Sequence, residues 1–96
     1  MKIYKYPLEK IGELVIAMPD SAQILTCQMQ GNELCLWALV HELNRPEDRT
    51  LEVVPTGHTM PFFEGQREYI GTVQMAGGAL VYHVFEKVPF VARQRR

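Results

Sequence analysis

"NELCLWALVH", Asn32 to His41, decides the fold. Apolar residues stand at nearly every position, so as a strand the segment has two faces and neither is made for water. One alternation, Leu34, Leu36, Ala38 and Val40, is wholly apolar; the other holds Cys35, Trp37, Leu39 and His41. Upstream, "AQILTCQMQ" supplies an antiparallel partner, and Gly31–Asn32 between them is a two-residue type II′ turn signal. That turn predicts Met29 opposite Leu34, Cys27 opposite Leu36 and Leu25 opposite Ala38 on the core face. Ile24, Thr26 and Gln28 then share the second face with Trp37, and the two cysteines point to opposite faces. The segment through Asn44 also fits an amphipathic helix, with Asn32 as N-cap and Leu34, Trp37, Ala38 and His41 at i, i+3, i+4 and i+7. The strand is preferred, because "AQILTCQMQ" needs a neighbour and the turn has the length to provide one.

Outward from this hairpin, Pro, Gly, Asn and Asp punctuate the chain at short intervals, and the segments between them are rich in β-branched and aromatic residues. "KIYKY", "ELVIAM", "TLEVVP", "EYIGTVQM" and "ALVYHVFEK" complete about seven short strands. The expected fold is all-β, a small antiparallel sandwich or barrel. Gly77–Gly78 closes a second hairpin, predicting Met75 opposite Leu80, Val73 opposite Tyr82 and Gly71 opposite Val84, with Tyr82 covering the gap at Gly71. Its reverse face carries Ile70, Thr72 and Gln74 against Val81, His83 and Phe85. Two hairpins with two semi-apolar faces each exceed what one sandwich core needs, so a homo-oligomer, a dimer first, or a lined pocket is expected.

The 96 residues suit a single domain over 1–96, with 90–96, ending "ARQRR", a basic, frayed tail. A net charge of −1 with 22% charged residues attracts no polyanion, which weighs against nucleic-acid binding, an OB-type strand binder included. "MKIYKYPLEK" has no signal-peptide core, and no apolar run approaches the ~18 residues of a bilayer span, so a cytoplasmic, membrane-free setting is expected. Cys27 and Cys35 are expected as reduced thiols; they form no CxxC pair.

The blocks "IYKYPLE", "CLWALV", "TGH" and "YIGTVQM…GGALVYHVFE" together resemble a small uncharacterised protein family found mainly in bacteriophage and prophage genomes. The landmarks fall on Tyr4 to Leu8, Cys35 to Val40, Thr56 to His58 and Tyr69 to Glu86, nearly the whole chain. The resemblance implies a phage setting in the cytoplasm of a bacterial host and no particular chemistry. "TMPFFEGQRE" reads as a link between the better-matched blocks.

Catalytic signals are missing from the pattern. His41, His58 and His83 show no metal-ligand spacing, and the phosphate-binding glycine loops are absent. Cys35 and His41 share a strand face but stand about 20 Å apart along it, too far for a nucleophile–base pair. The carboxylates mostly flank strands and read as solvated surface. No metal, cofactor or enzyme activity is expected. "PTGHTMP" is the most unusual loop: two prolines bracket a glycine free to take positive φ, and the loop is either a rigid corner or a flap over a ligand. Aromatic faces and guanidinium groups suit a small nucleotide-like ligand, so Trp37, Arg49, Thr56, His58, Arg67, Tyr69, Tyr82 and His83 are the candidate binding residues. The leading expectation is a non-enzymatic binding protein, an oligomeric sponge for a nucleotide-like host defence signal. The alternative is an interaction or virion-accessory module that docks through an apolar sheet face and holds no small ligand.

Overall fold

The computed structural model describes residues 1–90, so the basic tail, apart from Phe90, lies outside it. Seven strands form two antiparallel sheets. In chain order they are β1 (Lys2–Pro7), β2 (Gly12–Pro19), β3 (Gln23–Gln30), β4 (Glu33–Val40), β5 (Pro46–Pro55), β6 (Gly65–Met75) and β7 (Leu80–Pro89). A three-stranded sheet has the order β1-β4-β3 and a four-stranded sheet the order β2-β5-β7-β6. The fold is a sandwich, and the two sheets run close together along β3 and β6.

The decisive segment is a strand, and β4 is the centre of its sheet. Gly31 takes φ 62° and Asn32 does not have positive φ, as the first and second positions of a type II′ turn require. Met29 faces Leu34 and Cys27 faces Leu36 as the turn dictates. The expected register holds through Thr26, which faces Trp37, and fails beyond it: Leu25 is extruded in a bulge and Ile24, not Leu25, faces Ala38. The bulge adds one residue to β3 against β4 and leaves Leu25 45% exposed.

The second hairpin keeps its expected pairs from Met75–Leu80 to Gly71–Val84, closed by a tight turn with positive φ at Ala76, Gly77 and Gly78. A bulge at Ile70 then changes the reverse face. Tyr69, not Ile70, stands opposite Phe85.

Leu36, Ala38 and Val40 from one sheet and Leu51, Val53 and Val84 from the other form the centre of the core. Each fully buried aliphatic chain contributes roughly 1.5–3 kcal/mol. Cys27 points inward and Cys35 outward, and both are free thiols. Burial pushes both thiols up, and at Cys35 the nearby Glu33 carboxylate, which accepts from the thiol at 3.5 Å, adds to the effect.

The gap at Gly71 is filled from the opposite sheet and not by Tyr82. A Cβ at Gly71 would lie 2.9 Å from Cys27 Sγ. Gly71→Ala is therefore expected to destabilise by about 1–3 kcal/mol through overpacking. Adding Cys27→Ala should recover part of that loss, so the double variant's urea midpoint should lie above the value given by adding the two single shifts. Additive midpoints would show that the two sheets do not meet here.

The carboxylates are not all solvated surface, as their positions in the sequence led one to expect. Glu52 and Glu86 are buried, and each accepts a two-nitrogen contact from an arginine, Arg67 and Arg49 respectively.

Candidate functional site

Alternation along β7 sends Tyr82, Val84 and Glu86 toward the core, and Val81, His83, Phe85 and Lys87 to the outer face of the four-stranded sheet. His83 stands between Thr72 of β6, its register partner, and Thr56 just after β5. Thr56 is held there by its backbone N–H, which donates to Val81 O at 3.0 Å and carries the β5–β7 ladder one step past Pro55.

The result is a continuous chain of hydrogen bonds on an exposed sheet face. Thr56 Oγ1 lies 2.8 Å from His83 Nε2, Thr72 Oγ1 lies 3.0 Å from His83 Nδ1, and the Tyr69 hydroxyl lies 2.6 Å from Thr72 Oγ1. A neutral imidazole donates from one nitrogen and accepts at the other, and the three hydroxyls rotate to match. The chain can therefore run in either direction, and a ligand that donates or accepts at one end sets its sense. Tyr69 also meets Phe85 edge to face, with ring centroids 5.7 Å apart, and is 62% exposed. An aromatic platform thus sits beside the polar chain.

The "PTGHTMP" loop begins as a tight turn. His58 N–H donates to Pro55 O at 3.1 Å and Gly57 takes φ 89°, the third position of a type II turn. The following residues fold back over the outer face, where a hollow of about 450 Å³ is lined by His58, Thr59, Pro61, Phe62, Glu52 and Lys87. Arg67 fastens this cover: it pairs with Glu52 and donates to Pro61 O at 2.6 Å. The Phe63 ring lies 5.8 Å from the Arg67 guanidinium and 4.6 Å from Lys87 Nζ. Gly65 makes room for it, since a Cβ there would sit 2.5 Å from Phe63 and from Val88 O. The segment read as a mere link is therefore built into the sheet face.

Of the eight candidate residues, the fold brings Thr56, Tyr69 and His83 into one hydrogen-bonded chain, with His58 and Arg67 on the same side of the sheet. Three stand apart. Trp37 lies on the outer face of the other sheet between its register partners Lys5 and Thr26, half-buried. Arg49 points inward, paired with Glu86 and donating to Ala22 O at 2.9 Å, which ties the start of β3 to the four-stranded sheet. Tyr82 packs against the core and lines a hollow of about 560 Å³ at one end of the sandwich with Leu8, Leu34, Val53 and Met75.

Thr72 and Phe85 belong to the site and were not singled out from the sequence. The hairpin register already set Thr72 against His83; what it could not show was the bulge that aligns Tyr69 with Phe85. Among the described residues no group of three or more His, Cys, Asp or Glu side chains is placed to hold a metal ion, and no helix is long and apolar enough to cross a membrane.

No curated protein and no solved structure matches the chain. The family model described as a domain of unknown function (DUF7352) matches residues 1–95, from before the first strand to beyond the last, and the chain belongs to that family.

Proposed function

We propose that this chain is a non-enzymatic binding protein that captures a small nucleotide-like molecule on the outer face of its four-stranded sheet. The observation that carries the reading is the exposed chain Thr56–His83–Thr72–Tyr69 beside the Tyr69–Phe85 ring pair. A ring face for stacking next to donors and acceptors of adjustable sense suits a base and its sugar hydroxyls. The phosphate is less well served: Arg67 is engaged by Glu52 and Lys87 by Glu13, so a phosphate gains a cation only by competing with a carboxylate. Recognition in this reading rests on the nucleoside part. The phage setting implied by the sequence resemblance gives the capture a purpose, withdrawal of a nucleotide-type defence signal by binding alone.

The test is mass spectrometry of small molecules released when the purified protein is denatured, alongside titration calorimetry with adenosine monophosphate, ADP-ribose and a cyclic dinucleotide. A nucleotide-type compound should be released by, or should bind to, the parent chain. Thr72→Val, close to isosteric, should fold and bind about 3–10-fold more weakly, the effect of losing one net hydrogen bond. No release and no binding across the panel, or an affinity untouched by Thr72→Val and His83→Ala, would refute the reading.

A further inference from the structure

Four strands border the two sheets, and three of them carry a device that discourages pairing with another chain. β3 and β6 run beside each other along one side, and each is bulged, at Leu25 and Ile70. β1 carries Lys2 and Lys5. β2 has neither device. Its eight residues, Gly12–Pro19, pair with β5 without a register shift; Glu13 is their single charge, and Leu14 to Met18 are all apolar. Val15 is 56% exposed on the outer face.

The core is also unfinished on this side, the one away from the β3–β6 seam. Leu14 and Ile16 of β2 and Tyr6 of β1 are only partly buried against the core, and Tyr4, edge to face with Tyr6, remains exposed.

We propose that β2 is a self-association edge, pairing antiparallel with β2 of a second copy of this chain so that two four-stranded sheets become one across a twofold axis. The strand is complementary to itself. Opposed residues in an antiparallel pair share a face, so a register centred on Ile16 sets Leu14 against the partner's Met18, Val15 against the partner's Ala17 and Glu13 against the partner's Pro19. No like charges meet, apolar meets apolar on both faces, and the free backbone groups of both strands are satisfied together. A second copy is the occupant because it carries this complement at the same length. The inference is independent of the ligand reading, since β2 contributes nothing to the Thr56–His83–Thr72–Tyr69 chain.

Sedimentation velocity at micromolar concentration should show a species of twice the 11.0 kDa chain mass. Val15→Lys with Ala17→Lys puts lysine against lysine across the axis, and both side chains are exposed, so the subunit fold should stand. That variant should raise the dissociation constant at least about a hundredfold. Hydrogen exchange gives a second readout: in the parent protein successive β2 amides should all be protected, whereas a free edge leaves alternate amides exchanging fast. Should the lysine variant lose its circular dichroism signal, exchange on the parent chain decides alone. A parent chain that stays monomeric, or a dimer indifferent to both lysines whose alternate β2 amides exchange fast, would overturn the proposal.

Discussion

Arg67→Ala is expected to lower the free energy of unfolding by about 3 kcal/mol and to loosen the cover over the outer sheet face. Arg67 is the partner of Glu52, a carboxylate that is 4% exposed beneath the loop, and the same guanidinium holds Pro61 O. Removing it leaves a buried charge uncompensated, which typically costs about 3–5 kcal/mol; the lower end applies because the Arg67 side chain is itself 20% exposed. Glu52→Gln in the same chain removes that charge and should restore most of the loss. Urea denaturation of the parent, single and double variants reads both numbers. Had Arg67 been a free surface cation waiting for a phosphate, as the sequence alone led one to expect, the substitution would change stability by no more than about 0.5 kcal/mol.

At the core-facing pair, Arg49–Glu86, the effect should be as large. Arg49→Met is expected to destabilise by about 3–5 kcal/mol, because Glu86 and Ala22 O lose their shared donor in a site where both charged side chains are largely shielded from water. Glu86 sits opposite Leu51 on the core face. Replacing both partners, Arg49→Met with Glu86→Leu, should therefore give a chain about as stable as the parent, since the apolar pair avoids the desolvation of two charges. Thermal unfolding by circular dichroism separates the outcomes. A double variant no better than Arg49→Met would mean that the Arg49 contact to Ala22 O, and not the ion pair, is what holds β3 against the four-stranded sheet.

Much of this architecture is legible in the sequence. The apolar run of β4 and the Gly31–Asn32 turn yielded the strand, its partner and the outward direction of Trp37, because alternation and turn type together determine the face of every residue between. The two bulges were not legible. An extra residue leaves no mark where its neighbours are also apolar, as Ile24 and Leu25 are, or where an aromatic and an aliphatic are equally at home on a face, as Tyr69 and Ile70 are. Each bulge flipped the residues before it: Leu25 left the core face and Ile24 took its place, while Tyr69 joined Thr72 and His83 on the outer face.

Within the candidate site the difference was one of partners. Arginine and glutamate far apart in sequence read as ligand-seeking cations and solvated anions, and nothing in their spacing announces that Arg49 meets Glu86 or that Arg67 meets Glu52. Only the strand order β5-β7-β6 puts Arg49 beside Glu86, and only the folded-back loop buries Glu52. The polar residues did better, since the second hairpin's register already set Thr72 against His83.

Chemical-shift mapping of the uniformly ¹⁵N,¹³C-labelled protein against adenosine monophosphate, ADP-ribose and a cyclic dinucleotide locates the binding surface, because the candidate surfaces lie on different parts of the fold. The perturbed signals should be those of Thr56, Tyr69, Thr72, His83 and Phe85, while the indole of Trp37 on the opposite sheet and the residues around Tyr82 at the end of the sandwich keep their positions. Perturbations centred on Trp37 or on the Tyr82 hollow, or none at millimolar ligand, would rule out nucleotide capture on the outer face of the four-stranded sheet.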